Sequence, residues 1–236
     1  MKVTAVIVSA GIGQRFMDGK KKQFLPLAGK PVLAHTLDPF ERCPLVNAVV
    51  LVVGQEDMDF CLKEIVEKYQ YKKISRIVPG GKTRQESVKN GVGAVPEDVE
   101  MVVIHDGVRP FVTGEMIEES VRSAIRFQAV VVATPVKDTI KTVDAGGSIR
   151  ETLDRNSLWQ VQTPQTFRTR IIRDALRKAA EDGFLGTDDA SLVERMGINV
   201  HVVQGSYANI KITTPEDLLL ATFLLQANNP NQGEDE

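Results

Sequence analysis

Short runs of β-branched residues recur along this chain, with room for about one helix between neighbours, and that rhythm narrows the possible folds more than any other feature. Val3 to Val8, Val46 to Val53, Met101 to Ile104 and Ala129 to Ala133 are apolar without alternation, as strands covered on both faces are. Ile74 to Val78 and Asn199 to Val203 read as shorter strands. Helical spacing fills the gaps: Pro31 to about Arg42, with proline at a favoured start, and Gln55 to Tyr69, with Met58, Leu62, Ile65 and Val66 on one stripe. Thr83 and Glu86 form a capping-box pair for a helix to about Val92, and Thr113 starts another to about Phe127. Further helices are expected from about Thr169 to Glu181, after Thr187-Asp188-Asp189, and from about Glu216 to Gln226 behind Thr213-Thr214-Pro215. Strands alternating with helices predict an α/β fold, a Rossmann-like three-layer arrangement around a mostly parallel sheet.

The rhythm breaks between Pro135 and Leu153. Thr139 to Val143 and Ser148 to Thr152 flank Ala145-Gly146-Gly147, which predicts a β-hairpin inserted as an arm over about 137–155. Two strands alone are marginally stable, so the arm is expected to pack on something, a second copy of the chain being the natural candidate. No linker divides the 236 residues, which predicts one domain over 1–227 and a polar, acidic, frayed tail over 228–236. A formal net charge of −2 supplies no global attraction to nucleic acid or to anionic membrane. No apolar run reaches the roughly 18 residues of a membrane span, and Lys2 leads straight into a strand rather than into a secretory leader. Cys43 and Cys61 read as buried thiols of a reducing compartment, so the expected location is cytoplasmic.

Ligands in such sheets collect at the carboxyl ends of the strands, and the unusual residues fall there. Ser9-Ala10-Gly11-Ile12-Gly13-Gln14-Arg15 follows the first strand, Gly80-Gly81 the third and His105-Asp106 the fourth. Backbone amides of a glycine loop close on anionic oxygens, and the nearby cations supply charge. A dinucleotide fingerprint is excluded: Phe16 stands where the third glycine belongs, and no acid follows the second strand at Val53-Gly54-Gln55. Gly81-Lys82-Thr83 mimics the end of a P-loop, but Arg76 occupies its first glycine position. Arg15, Lys22, Arg84, Arg109, Arg155 and Lys211 lie in or beside loops, while Lys20 and Lys21 read as solvated. Asp106 among these cations suits a ribose hydroxyl or a Mg²⁺ shell. His35 and His201 read as structural, His105 as orienting or packing beside Asp106, and no metal cluster is assembled.

These residues resemble the sugar-nucleotide and alditol-phosphate nucleotidyltransferases through the first loop and Lys22-Gln23-Phe24. Gly80-Gly81-Lys82-Thr83-Arg84, His105-Asp106-Gly107-Val108-Arg109-Pro110, Asp154-Arg155-Asn156, Gln162-Thr163-Pro164-Gln165 and Asn209-Ile210-Lys211-Ile212-Thr213 narrow the resemblance to the 2-C-methyl-D-erythritol 4-phosphate cytidylyltransferase family of isoprenoid precursor synthesis. The resemblance implies transfer of CMP from CTP to the alditol phosphate with Mg²⁺ and release of pyrophosphate. It assigns Arg15, Lys22, Arg155 and Lys211 to catalysis. Ala10, Gly11, Gly13, Gly81, Lys82, Ser87, Asp106 and Gly107 would hold the nucleotide, with Asp106 at the metal directly or through water. Asp106, Arg109, Thr139, Arg155, Thr163, Thr187 and Lys211 would hold the acceptor, Thr139 and Arg155 coming from a partner subunit's arm in a homodimer. Lys82 departs from the family's usual acid, and Lys21, Phe16 and Gly107-Val108 are also atypical. Ribitol-5-phosphate cytidylyltransferases share the run through Phe111, and a non-catalytic CTP- or phosphosugar-binding regulator is the alternative of another class.

Overall fold

The computed structural model describes residues 1–11 and 21–228. In chain order its elements are β1 (Val3–Ser9), β2 (Pro26–Leu27), β3 (Lys30–Pro31), α1 (Val32–Arg42), β4 (Ala48–Val53), α2 (Met58–Phe60), β5 (Ile74–Pro79), α3 (Arg84–Gly93), β6 (Met101–Asp106) and α4 (Gly114–Phe127). They continue with β7 (Ala129–Pro135), β8 (Lys141–Val143), β9 (Ile149–Thr152), β10 (Trp159–Arg168), α5 (Thr169–Glu181), α6 (Asp189–Glu194), β11 (His201–Gln204) and α7 (Pro215–Asn228). Seven strands form one sheet in the order β11-β7-β10-β6-β1-β4-β5. All its neighbours are parallel except β10, which runs antiparallel to both β6 and β7.

Strand alternation divides the core into two layers. Ala5, Ile7, Leu51 and Val103 point to the face covered by Leu33, Leu37 and Phe40 of α1 and Ile117 and Val121 of α4. Val6, Val52, Val102 and Ile104 point to the other, under Val88 and Val92 of α3 and Ile172, Ala175 and Leu176 of α5. A third cluster of Leu27, Val32, Val108, Ile212 and Ala221 seats α7 against the β2–β3 turn and the loop after β6.

Most of the expected elements are present, with differences in extent and composition. The segment 55–69 is helical but composite: a 3₁₀ turn at Gln55–Asp57, α2, then π-type winding over Cys61–Glu67. Strand β10 had no sequence signal; Gln162, Thr163, Gln165 and Thr166 are buried in it, and polar side chains hide the apolar run expected of a central strand. The second strand begins at Ala48 rather than Val46. The arm forms as a two-stranded antiparallel sheet, β8 with β9, pairing Lys141 with Thr152 and Thr142 with Glu151. Cys43 and Cys61 are free and buried. The tail expected to fray lies outside the described residues from 229 onward.

Candidate active site

The carboxyl ends of β1, β5 and β6 meet through close backbone contact. A Cβ on Gly80 would lie 2.2 Å from Cβ of Ala10, and one on Gly107 would lie 2.7 Å from Cβ of Ser9. Glycine is required at both by this approach, whatever its torsion. Beyond the strand ends the ladder continues: Gly107 N donates to Val8 O at 2.8 Å and Gly80 N to Val53 O at 2.8 Å.

Gln23 links the cation turn to this floor. It follows Lys22 in a 3₁₀ turn, is fully buried, and donates its amide to Ser9 O at 2.9 Å and Gly11 O at 3.3 Å. Half-buried Lys22 is thereby tied to the exit of β1. In the sequence Gln23 has no role of its own beyond its place in Lys22-Gln23-Phe24. Gly13 and Arg15 lie outside the described residues.

At the start of α3, Thr83 caps the helix by accepting from Glu86 N at 3.0 Å. The reciprocal half of the box is displaced by one residue, since Glu86 Oε2 accepts from Lys82 N at 2.7 Å. Gly81 N donates to Ser87 Oγ at 3.1 Å, and that hydroxyl donates to Thr83 O at 2.9 Å. Ala10, Gly81, Lys82 and Ser87 therefore share one corner, beside the first residue of α3, Arg84.

Asp106 is the electrostatic centre. Its Oδ1 accepts from Arg84 Nε at 3.0 Å, and its Oδ2 pairs with Lys211 Nζ at 2.9 Å and with Arg109 Nε at 3.5 Å. Burial by itself would raise this carboxyl, but Arg84, Lys211 and Arg109 outweigh it and hold the group well below the usual carboxylate range. The Arg84 fork also grips Asp189 through Nη1 at 3.1 Å and Nη2 at 2.8 Å. Asp188 caps α6 instead, accepting from Ser191 N at 3.0 Å, so the adjacent acids have separate tasks. Burial lowers Arg109, the nearby charge of Arg84 adding to it against Asp106. Arg109 Nη1 donates to Asn209 O at 2.8 Å, while among the described residues its buried Nε makes only the 3.5 Å ion pair with Asp106.

Behind this cluster lies a polar layer contributed by β10. Thr163 is buried, with its hydroxyl 3.1 Å from Asp106 N and 2.9 Å from His105 Nδ1. Thr163 thus sits behind the loop that follows β6, its hydroxyl engaged with Asp106 N and His105. Asn209 Nδ2 donates to Thr163 O at 2.9 Å and to Gln162 Oε1 at 3.1 Å. Thr139 and Arg155 are exposed on the arm, with Arg155 Nη1 donating to Lys137 O at 3.1 Å. Thr187 is exposed ahead of Asp188. Among the described residues, no hydrogen bond or ion pair joins these three to Asp106, Arg109 or Lys211.

Among the described residues no group of three or more His, Cys, Asp or Glu side chains could hold a metal. Asp106 offers a single carboxylate, which suits an ion such as Mg²⁺ that takes most of its oxygens from phosphates and water. Among the described residues the cleft gathers Lys211, Arg84 and Arg109 around Asp106, with Arg84 shared with the buried Asp189. That arrangement binds and orients multiply charged anions.

The model of the IspD family, described as 2-C-methyl-D-erythritol 4-phosphate cytidylyltransferase, matches residues 3–227. A protein of that name from Geotalea uraniireducens (strain Rf4) is 49% identical over 231 residues, 97% of this chain and 99% of that protein. Its counterpart from Caldanaerobacter subterraneus subsp. tengcongensis is 47% identical over 226 residues, 96% of this chain and 100% of that protein. Among solved structures, 4-diphosphocytidyl-2C-methyl-D-erythritol synthase from Anaerococcus prevotii DSM 20548 superposes with a TM-score of 0.86 at 35% identity, covering 95% of this chain and 96% of that one. The 2-C-methyl-D-erythritol 4-phosphate cytidylyltransferase of Thermus thermophilus gives 0.78 at 30% identity over 96% and 100%.

Proposed function

The chain belongs to the 2-C-methyl-D-erythritol 4-phosphate cytidylyltransferase family and is a CTP-dependent cytidylyltransferase of isoprenoid precursor synthesis, and from that premise we propose how its residues divide the reaction. A phosphate oxygen of the acceptor attacks the α-phosphorus of CTP; the new P–O bond forms as the bond to the β-phosphate breaks, and pyrophosphate leaves with the electron pair. An ionised phosphate needs no general base, so the rate comes from alignment and charge stabilisation. The observation that carries this reading is the Asp106 cluster, where three cations converge on one carboxylate.

Ala10, Gly11, Gly81, Lys82 and Ser87 frame the base, and Asp106 with Gly107 the ribose. Lys22, with Arg15 and Gly13 of the first loop, takes the triphosphate and the leaving pyrophosphate. Arg109 and Lys211 take the acceptor phosphate with Thr187, and Thr139 and Arg155 of a partner's arm complete that side. Mg²⁺, when bound, neutralises charge on the triphosphate, and Asp106 would hold it directly or through water. The enzyme works as a cytoplasmic homodimer, one domain per chain over 1–227. Exposed Val143 and Ile149 on the arm support the dimer, as surfaces that a second copy would cover.

The deciding assay is pyrophosphate release from CTP with methylerythritol 4-phosphate and ribitol 5-phosphate in parallel. Faster turnover on methylerythritol 4-phosphate, abolished by a chelator and restored by Mg²⁺, is expected. Preference for ribitol 5-phosphate would overturn the acceptor assignment, and full activity in chelator would remove the metal. Val143→Asp with Ile149→Asp should halve the particle mass in light scattering; an unchanged mass would remove the arm from the dimer.

A further inference from the structure

Thr163 and His105 form a proton arrangement with one solution. The Thr163 hydroxyl has one proton to give, and Asp106 N, 3.1 Å away, can only donate to it. The hydroxyl proton is therefore free for His105 Nδ1 at 2.9 Å. On the far side of the ring, Arg109 O can only accept, so Nε2 at 3.3 Å carries the ring proton. A neutral imidazole with its proton on Nε2 satisfies every group; the other tautomer sets a lone pair against a carbonyl oxygen and leaves the hydroxyl proton without an acceptor. The ring is fully buried and packs on Phe40 at a centroid distance of 5.1 Å, which restricts its rotation.

The two ends of this relay are the two ends of one turn. Arg109 N donates to Asp106 O at 3.1 Å, closing Asp106-Gly107-Val108-Arg109. The first residue of the turn is tied at its amide to Thr163 and the last at its carbonyl to His105. Between them, Gly107 O accepts from Thr36 Oγ1 at 3.2 Å and Val108 O from Ile212 N at 2.9 Å. The side chains leaving the two tied residues are the carboxylate and the guanidinium that meet in the cleft.

We propose that His105 is a positioning residue which, as the Nε2-protonated tautomer selected by Thr163, fixes the Asp106–Arg109 turn so that Arg109 is aimed at the acceptor phosphate. The inference rests on the assignment of Arg109 to the acceptor. It gives this imidazole no contact with substrate and no part in proton transfer; its effect is transmitted through one backbone carbonyl.

Two amide substitutions separate the ends of the relay, because an asparagine side chain reaches about as far as Nδ1 and a glutamine about as far as Nε2. His105→Gln keeps a donor for Arg109 O and should leave KM for the alditol phosphate near that of the unsubstituted enzyme. His105→Asn loses that donor and should raise the acceptor KM, with the KM for CTP little changed and a loss in kcat/KM approaching about 10²-fold. Thr163→Val, which takes the shared hydroxyl from both Asp106 N and His105 Nδ1, should also raise the acceptor KM, whereas Thr163→Ser keeps that hydroxyl and should stay near the parental value. Equal acceptor KM values for the two His105 variants, or losses that merely follow their melting temperatures, would overturn the proposal. ¹⁵N shifts of the imidazole in the intact enzyme at neutral pH supply a test independent of folding in the variants. The Nε2–H tautomer supports the relay, and either Nδ1–H or a doubly protonated ring overturns it. Arg109→Ala separates the two levels: an unchanged acceptor KM in that variant would refute the assignment of Arg109, whatever tautomer His105 holds.

Discussion

The turn after β6 and the β8–β9 arm both carry residues assigned to the acceptor phosphate, and they are held in opposite ways. Asp106 and Arg109 are nearly buried, and their turn is bonded to β1, to α1, to the segment ahead of α7 and to β10. Among the described residues strands β8 and β9 pair only with each other, leaving Val143 58% and Ile149 63% exposed, with Thr139 and Arg155 open to solvent. On the proposed assignment, one half of the acceptor site is built within a single chain, and the other would need a surface that covers two apolar side chains and fixes Arg155. The contrast separates preorganisation, which lowers the barrier without further ordering, from assembly, which must order side chains when the partner or substrate arrives.

The largest effect should come from removing the acid at the centre of the prebuilt half. Asp106→Asn leaves Arg84, Arg109 and Lys211 without their shared anion, and breaking a buried pair in this way costs about 3 kcal/mol of stability. The folded-state pKa of Asp106 is depressed, so its contribution is fully present above the unfolded value, about 3.9, and is lost as the pH falls below it. Urea midpoints should show the full gap between variant and parent at pH 7 and pH 5, narrowing only in stronger acid. A gap that closes between pH 7 and pH 5 would mean that Asp106 is not held ionised by its neighbours.

Lys211→Ala removes a single cation and leaves Asp106 paired with Arg84 and Arg109. Its kcat/KM should fall about 10²-fold, roughly 2.7 kcal/mol of transition-state stabilisation, with little change in melting temperature. Arg155→Ala on the arm should cost less, about tenfold in acceptor KM with the KM for CTP unchanged. Mixing that variant with Lys22→Ala should then regain activity, because hybrid dimers hold one site with both residues intact. If the mixture stays as inactive as its parts, Arg155 serves the site of its own chain, and the division into a prebuilt and an assembled half is wrong.

The same contrast governs what the amino-acid sequence reveals. Buried runs such as Val49 to Val53 declare a strand because packing decides those positions. Strand β10 is equally central, yet Gln162 donates to Ser206 O, Thr163 meets His105, and Gln165 joins Asp188 to Ala190 N. Polar side chains satisfied by distant partners carry no hydrophobic period, so the strand was invisible until those partners were placed. The pairing of Arg84 with Asp189 spans 105 positions and has no local signature. Legible in advance were the cations, the glycines and Asp106, since their types and strand-end positions already imply an anion site. Gln23 was not, because a lone glutamine has many uses and only the fold showed the Ser9 and Gly11 carbonyls converging on it.

The smallest effect compares two threonines. Thr83 caps α3 at the corner where the base is assigned, its hydroxyl accepting from Glu86 N at 3.0 Å. Thr142 lies exposed in β8. Thr83→Ala should lower stability by about 1 kcal/mol, as removal of an N-cap does, and should raise the KM for CTP because Lys82 and Ser87 are fixed through the same turn. Thr142→Ala should stay within about 0.5 kcal/mol, the range of surface changes, with both KM values unmoved. Thermal unfolding and steady-state kinetics on the two variants decide the matter. A Thr83 variant as benign as the Thr142 variant would show that the base corner is ordered by the nucleotide and not by the chain, and the prebuilt half would shrink to the Asp106 turn.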